Sequence, residues 1–149
     1  MKKIKKLFVL IMPILLIAGL SAGCSDIKNN SSQKSSVNVY FNRGVYKSYS
    51  SEETQNKYDF YIFNDGNTGH TEDSEMGIGL PFSCIQEENA VKFRFGGSEE
   101  PEETLKIESA QNEVIKGAFD DGKLLIFTPL KEENPDNFDA LEYMKKSEK

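Results

Sequence analysis

Tryptophan is absent, histidine occurs once, at His70, and cysteine twice, at Cys24 and Cys84. A single imidazole excludes any site that needs two. With Cys24 given another role below, zinc is left without its usual nitrogen and sulfur ligands. A Ser-His-Asp relay would have to use His70, yet there is no G-x-S-x-G elbow and no serine that spacing pairs with it. His70 is therefore expected at the surface, in a strand or loop. The string Ser31-Ser32-Gln33-Lys34 matches S-x-x-K only formally, because the partner motifs are missing. A long apolar run is also missing: Leu7 to Leu20 spans 14 residues and contains Pro13, whereas a membrane-crossing helix needs about 20.

Lys2, Lys3, Lys5 and Lys6 precede that run, and Ser21, Ala22 and Gly23 end it. Charged, apolar, then small is the order of an export signal. Cys24 follows directly, and Ser21-Ala22-Gly23-Cys24 resembles the lipobox of bacterial lipoproteins. Leu20 lies four residues before the cysteine where three is usual, which leaves Ser21 at that position. The resemblance implies that residues 1–23 are cleaved and that the Cys24 thiol carries a diacylglycerol. The protein is then held in the lipid bilayer, at the extracytoplasmic face of the cell membrane. Each buried CH₂ of an acyl chain contributes about 0.8 kcal/mol, so a multiply acylated cysteine anchors stably.

The first 23 residues hold four of the 18 basic residues and none of the 24 acidic ones, so the remainder carries a formal charge of −10. That field disfavours nucleic acid and anionic lipid and favours a cationic partner. Lipidation of Cys24 leaves Cys84 alone, so no intramolecular disulfide forms and the domain depends on its core.

Residues 24–36 form the lipidated cysteine and a polar tether, of which Ser25 to Ser36 give a reach of roughly 20 Å. From residue 37 to 130 short β-rich runs alternate with turn residues, the pattern of one antiparallel all-β domain. The expected strands are Val37 to Phe41, Gly44 to Tyr49, Lys57 to Asn64, Gly69 to Asp73, Ile78 to Gln86, Ala90 to Phe95, Thr104 to Ser109, Glu113 to Phe119 and Lys123 to Thr128. Val91, Phe93 and Phe95 alternate with Lys92 and Arg94, and Leu105 and Ile107 with Lys106 and Glu108, which means one face in a core and one in water. Ile78, Leu80, Phe82 and Cys84 share a face, which predicts a buried, inert thiol. Tyr58 to Phe63 is apolar on both faces, so it is central or covered. Asp65-Gly66, Gly96-Gly97 and Asp121-Gly122 mark turns, the last joining a tight hairpin.

Residues 131–149 turn acidic and then helical, with Asn134 as the expected N-cap, Pro135 at the first helical position, and Phe138, Leu141 and Met144 as an apolar side lying on the sheet. A meander of eight or nine short strands closes most readily into a small barrel. Gly44-Val45-Tyr46 is similar to the Gly-x-Trp of the first lipocalin strand. Phe63 to Phe82, followed by Phe93-Arg94-Phe95-Gly96, resembles small lipocalin-like domains in surface lipoproteins of low-GC Gram-positive bacteria. That likeness implies a fold rather than an activity.

Asp65, Asn67, Glu72 and Asp73, around Gly66, have the oxygen-rich composition of a calcium site without EF-hand spacing. Carboxylates also cluster at Glu99, Glu100, Glu102 and Glu103 and at Asp120 and Asp121, as solvated turns would. Tyr40, Tyr46, Tyr49, Tyr58 and Tyr61 are expected in the core or on a sheet face. No cofactor and no enzymatic activity are expected. The expected role is a non-enzymatic binding module at the outer face of the membrane, for an unidentified ligand such as a small apolar molecule, a cell-wall component or an exported protein. The alternative is an inhibitor or immunity-type protein against a secreted cationic hydrolase such as lysozyme.

Overall fold

A computed structural model describes residues 40–52 and 57–147. Eight antiparallel strands follow one another as a meander: β1 (Gly44–Ser50), β2 (Asp59–Phe63), β3 (Thr68–Asp73), β4 (Pro81–Gln86), β5 (Ala90–Phe95), β6 (Glu103–Gln111), β7 (Val114–Ala118) and β8 (Leu124–Pro129). β1 pairs with β8 from Tyr46↔Pro129 to Ser50↔Leu125, which closes the barrel and leaves no open edge. Among the described residues one helix, α1 (Ala140–Ser147), completes a small lipocalin-like all-β architecture.

Alternation decides which side chains face inward. Tyr46 opposes Tyr61, Cys84 opposes Phe93 and Phe82 opposes Phe95, so the interior residues meet across neighbouring strands. The interior is largely aromatic. Phe63 meets Phe82 edge-on at 4.9 Å, Tyr61 meets Phe127 at 5.2 Å, and Phe93 stacks on Phe95 at 5.4 Å. Gly69 makes room for this packing, since a Cβ there would stand 2.7 Å from Phe82 Cζ and 2.0 Å from the Ile62 carbonyl oxygen.

The two ends of the barrel differ. At one end the turns are short, and Asn112 (φ 52°) and Glu113 (φ 66°) form a two-residue left-handed turn between the paired Gln111 and Val114. The chain enters here, and Phe41 plugs this end, stacked on Phe63 at 4.8 Å and fully buried. The first expected strand is therefore corrected. Residues 37–39 lie outside the described residues, and Tyr40 and Phe41 cross the barrel end without joining the sheet, because their backbone is bound by the Gln86 side chain instead of a neighbouring strand.

The other end carries the longer loops. Ile78 and Leu80 belong to the β3–β4 loop there, 65 % and 54 % exposed, so the core face of β4 starts at Phe82 and not at Ile78. Asp121-Gly122 does turn the chain, with the Gly122 N–H on the Phe119 carbonyl at 2.9 Å, but the connection runs from Phe119 to Lys123.

β2 is buried on both faces, as its sequence requires. Tyr61 and Phe63 point inward, while Phe60 and Ile62, with Val45, are covered by Ala140, Phe138, Tyr143 and Met144. The helix starts later than expected. Asn134 closes a separate turn through the N–H groups of Asp136 and Asn137, and Asp139 is the N-cap, accepting the Glu142 N–H at 2.8 Å. The delay lets Phe138 reach Phe60, with ring centres 5.1 Å apart, before the helix begins. Among the described residues no helix is long and apolar enough to cross a membrane.

Candidate functional site

Cys24 and the tether lie outside the described residues. The four oxygen-bearing residues considered for calcium are placed apart. Asp65 and Asn67 sit in the β2–β3 turn at the plugged end. Glu72 and Asp73 sit at the far end of β3, with about 13 Å of strand between Thr68 and Glu72. Their oxygens have other partners. Asp65 accepts the N–H groups of Asn67 and Thr68, each at 2.7 Å, and those bonds hold its pKa below the usual carboxylate value. Asp73 accepts the N–H groups of Met76 (2.6 Å), Glu75 (2.9 Å) and Ile78 (3.2 Å), and is lowered chiefly by the bond from Met76. Glu72 accepts the first N–H of α1, from Ala140, at 2.8 Å and lies 3.4 Å from His70 Nε2. Among the described residues no three His, Cys, Asp or Glu side chains converge as a metal site would require.

Cys84 is buried, 3.6 Å from the Gly66 carbonyl, and burial pushes its thiol up to about 11. Tyr46 and Tyr61 lie in the core, and burial raises both phenols, Tyr61 far more. Tyr49 is half-buried on β1, Tyr58 half-buried just before β2, and Tyr40 half-buried at the plugged end, outside the sheet where it was expected.

Clefts lie at both ends of the barrel. A cleft of about 720 Å³ at the plugged end is lined by Tyr40, Arg43, Tyr46, Glu113, Lys131 and Pro135. Both of its cations are neutralised locally, Arg43 by Asp136 at 2.7 Å and Lys131 by Glu113.

The rim at the other end is different. A cleft of about 310 Å³ lies between Leu80, Phe95, Gly96, Glu100, Pro101 and Glu103. A second, of about 220 Å³, lies between Glu102, Glu103, Thr104, Phe119, Asp120 and Asp121. Glu103 lines both, so the two clefts are neighbours on this rim of the barrel and together make up a rim groove divided at Glu103. It is built by the loops after β3, β5 and β7, which the meander brings to the same end. Gly96, at φ 83°, starts the β5–β6 loop in a conformation that ordinary side chains resist. Glu102 meets Arg94 at 3.4 Å and Asp120 meets Lys106 at 3.1 Å. Glu100, Glu103 and Asp121 face no described cation within 4 Å. The acidic clusters are visible in the sequence, but their apolar companions Leu80, Phe95 and Phe119 come from three separate segments that only the topology unites.

No protein-family model, curated protein or solved structure matches the chain.

Proposed function

We propose that this protein is a bacterial lipoprotein, held at the extracytoplasmic face of the cell membrane by an acylated Cys24. Its barrel acts as a non-enzymatic binding module that works through its outer surface. The observation that carries the external reading is the filled interior. Phe41, Phe63, Phe82, Phe93 and Phe127 occupy the volume in which a barrel of this kind would hold an apolar ligand, and all are buried in mutual ring contact. Inhibition of a secreted cationic hydrolase is the second reading, favoured by the −10 charge that follows residue 23, which steers a cationic protein toward this one.

The anchor is tested by feeding cells a clickable fatty acid: the wild-type chain should be labelled and membrane-bound, and Cys24→Ala neither. The binding reading is tested on the purified lipoprotein, where solvent extraction should yield no stoichiometric apolar ligand. Photo-cross-linking in intact cells from exposed positions should yield a discrete adduct. A bound apolar molecule at one per barrel would overturn the external reading in favour of a carrier.

A further inference from the structure

We propose that the rim groove from Leu80 to Asp121 docks a basic, partly apolar stretch of an exported protein, an inference that rests on the binding-module reading above. It has apolar lining on both sides of Glu103: Leu80, 54 % exposed, with Phe95 and Pro101 in one cleft, and Phe119 in its neighbour. Met76 and Ile78, 64 % and 65 % exposed, lie on the same loop as Leu80, so three large apolar side chains within five residues stand in water. Such clustering, unlike scattered exposed leucines, marks an interaction surface.

Charge identifies the occupant. Five carboxylates line the groove and two are matched by Arg94 and Lys106. Lysine or arginine side chains from a partner could pair with Glu100, Glu103 and Asp121, which face no described cation within 4 Å. Their arrangement argues against a metal ion, because among the described residues no three of these carboxylates converge on one point. A small polyamine would satisfy the charge and leave the apolar lining exposed. A polypeptide with alternating basic and apolar residues satisfies both.

The groove also lies at the opposite end of the barrel from Tyr40, where the described chain begins.

The test uses the full lipoprotein in nanodiscs of zwitterionic lipid, with empty nanodiscs as blank, and short fluorescent peptides read by anisotropy at low ionic strength. One peptide carries lysines and leucines spaced by glycine and serine, a second has glutamate for lysine, and a third has serine for leucine. The lysine-leucine peptide should bind, the glutamate peptide should not, and the serine peptide should bind more weakly. Glu100→Gln, Glu103→Gln and Asp121→Asn together should weaken binding about tenfold, and Leu80→Ser roughly fivefold. A control triple on exposed acids elsewhere, Glu108→Gln, Glu132→Gln and Glu142→Gln, should change it less than about twofold. If the rim triple unfolds, E100Q and D121N alone should each give roughly threefold.

Equal losses in the rim and control triples, tight binding of the serine peptide, or binding that needs calcium would each overturn the proposal. If no peptide binds while cross-linking in cells still yields a partner, the groove assignment falls and the binding-module reading stands.

Discussion

The carboxamide of Gln86 holds Phe41 by both sides of its backbone. Gln86 Oε1 accepts the N–H groups of Tyr40 (2.7 Å) and Phe41 (2.8 Å), and Nε2 donates to the carbonyls of Phe41 (2.8 Å) and Gly66 (2.7 Å). One strand-end side chain thus does for the entering chain what a neighbouring strand does elsewhere. Gln86→Ala would leave the Tyr40 and Phe41 N–H groups and the Phe41 carbonyl unmatched in a partly buried place, and the Gly66 carbonyl with only the Cys84 thiol, at a cost of about 2–4 kcal/mol by urea unfolding. Gln86→Glu keeps the acceptors and loses the donors, so its loss should fall between.

The plug itself gives a second expectation. Phe41 touches Tyr46, Phe63, Phe93 and Phe127, and Phe41→Ala should cost about 3–5 kcal/mol through lost burial and the cavity left behind. The same variant should acquire binding of small apolar probes such as benzene, detected by nuclear magnetic resonance, while the wild type binds none. Wild-type binding of the probe inside the barrel would show that the interior is open after all.

These two residues also show where sequence reasoning stops. Val91, Phe93, Phe95, Leu105 and Ile107 declare their inward face by alternation, and the closed meander follows from counting such runs. Phe41 sits beside β-forming residues and reads as strand, because nothing local reveals that its hydrogen-bond partner lies 45 residues away. Ile78 and Leu80 continue the alternation of Phe82 and Cys84, yet Gly79 presses against Thr71, where a Cβ would come within 1.9 Å of the Thr71 carbonyl oxygen, and the loop takes both side chains into solvent. The rim groove was half legible: its acids form visible clusters, while their union with Leu80, Phe95 and Phe119 depends on which loops share an end.

Cys84 supplies the pH dependence. Burial, reinforced by the charge of Asp65, pushes its thiol from 9.0 to about 11. The folded state therefore disfavours the thiolate. Stability from this group is intact below about pH 9 and falls between about pH 9 and 11 as the unfolded chain ionises first, by up to about 1.4 kcal/mol per pH unit. Cys84→Ala, compared with wild type by urea titration across that window, should show the shallower decline. At pH 8 the native thiol should resist alkylation and react only in denaturant; rapid native labelling would contradict its burial.

The helix is anchored by two carboxylates from different places, Asp139 on the Glu142 N–H and Glu72 of β3 on the Ala140 N–H, both at 2.8 Å. Asp139→Ala should cost about 1 kcal/mol, and Glu72→Ala about 1–2 kcal/mol. Each should raise amide exchange at Tyr143, whose N–H is bonded to the Asp139 carbonyl, while the β2 amides remain protected. Exchange rising equally in β2 would mean that the helix and the barrel open together.

The Asn112–Glu113 turn contains a correctable strain. Both residues adopt left-handed backbone conformations without glycine, at φ 52° and 66°, and asparagine tolerates this far better than glutamate. Glu113→Gly removes a penalty of about 1–2 kcal/mol, offset by the greater flexibility that glycine gives the unfolded chain, about 0.5–1 kcal/mol. It also removes the contact with Lys131, but both partners of that pair are largely exposed, so the loss is about 0.5 kcal/mol or less. Near neutrality is therefore expected at low salt, and a net gain at high salt, where the lost ion pair is screened in the wild type as well. Thermal melts of wild type and Glu113→Gly at both ionic strengths measure this directly. A large loss at high salt would show that the hairpin does not carry the strain its backbone angles imply.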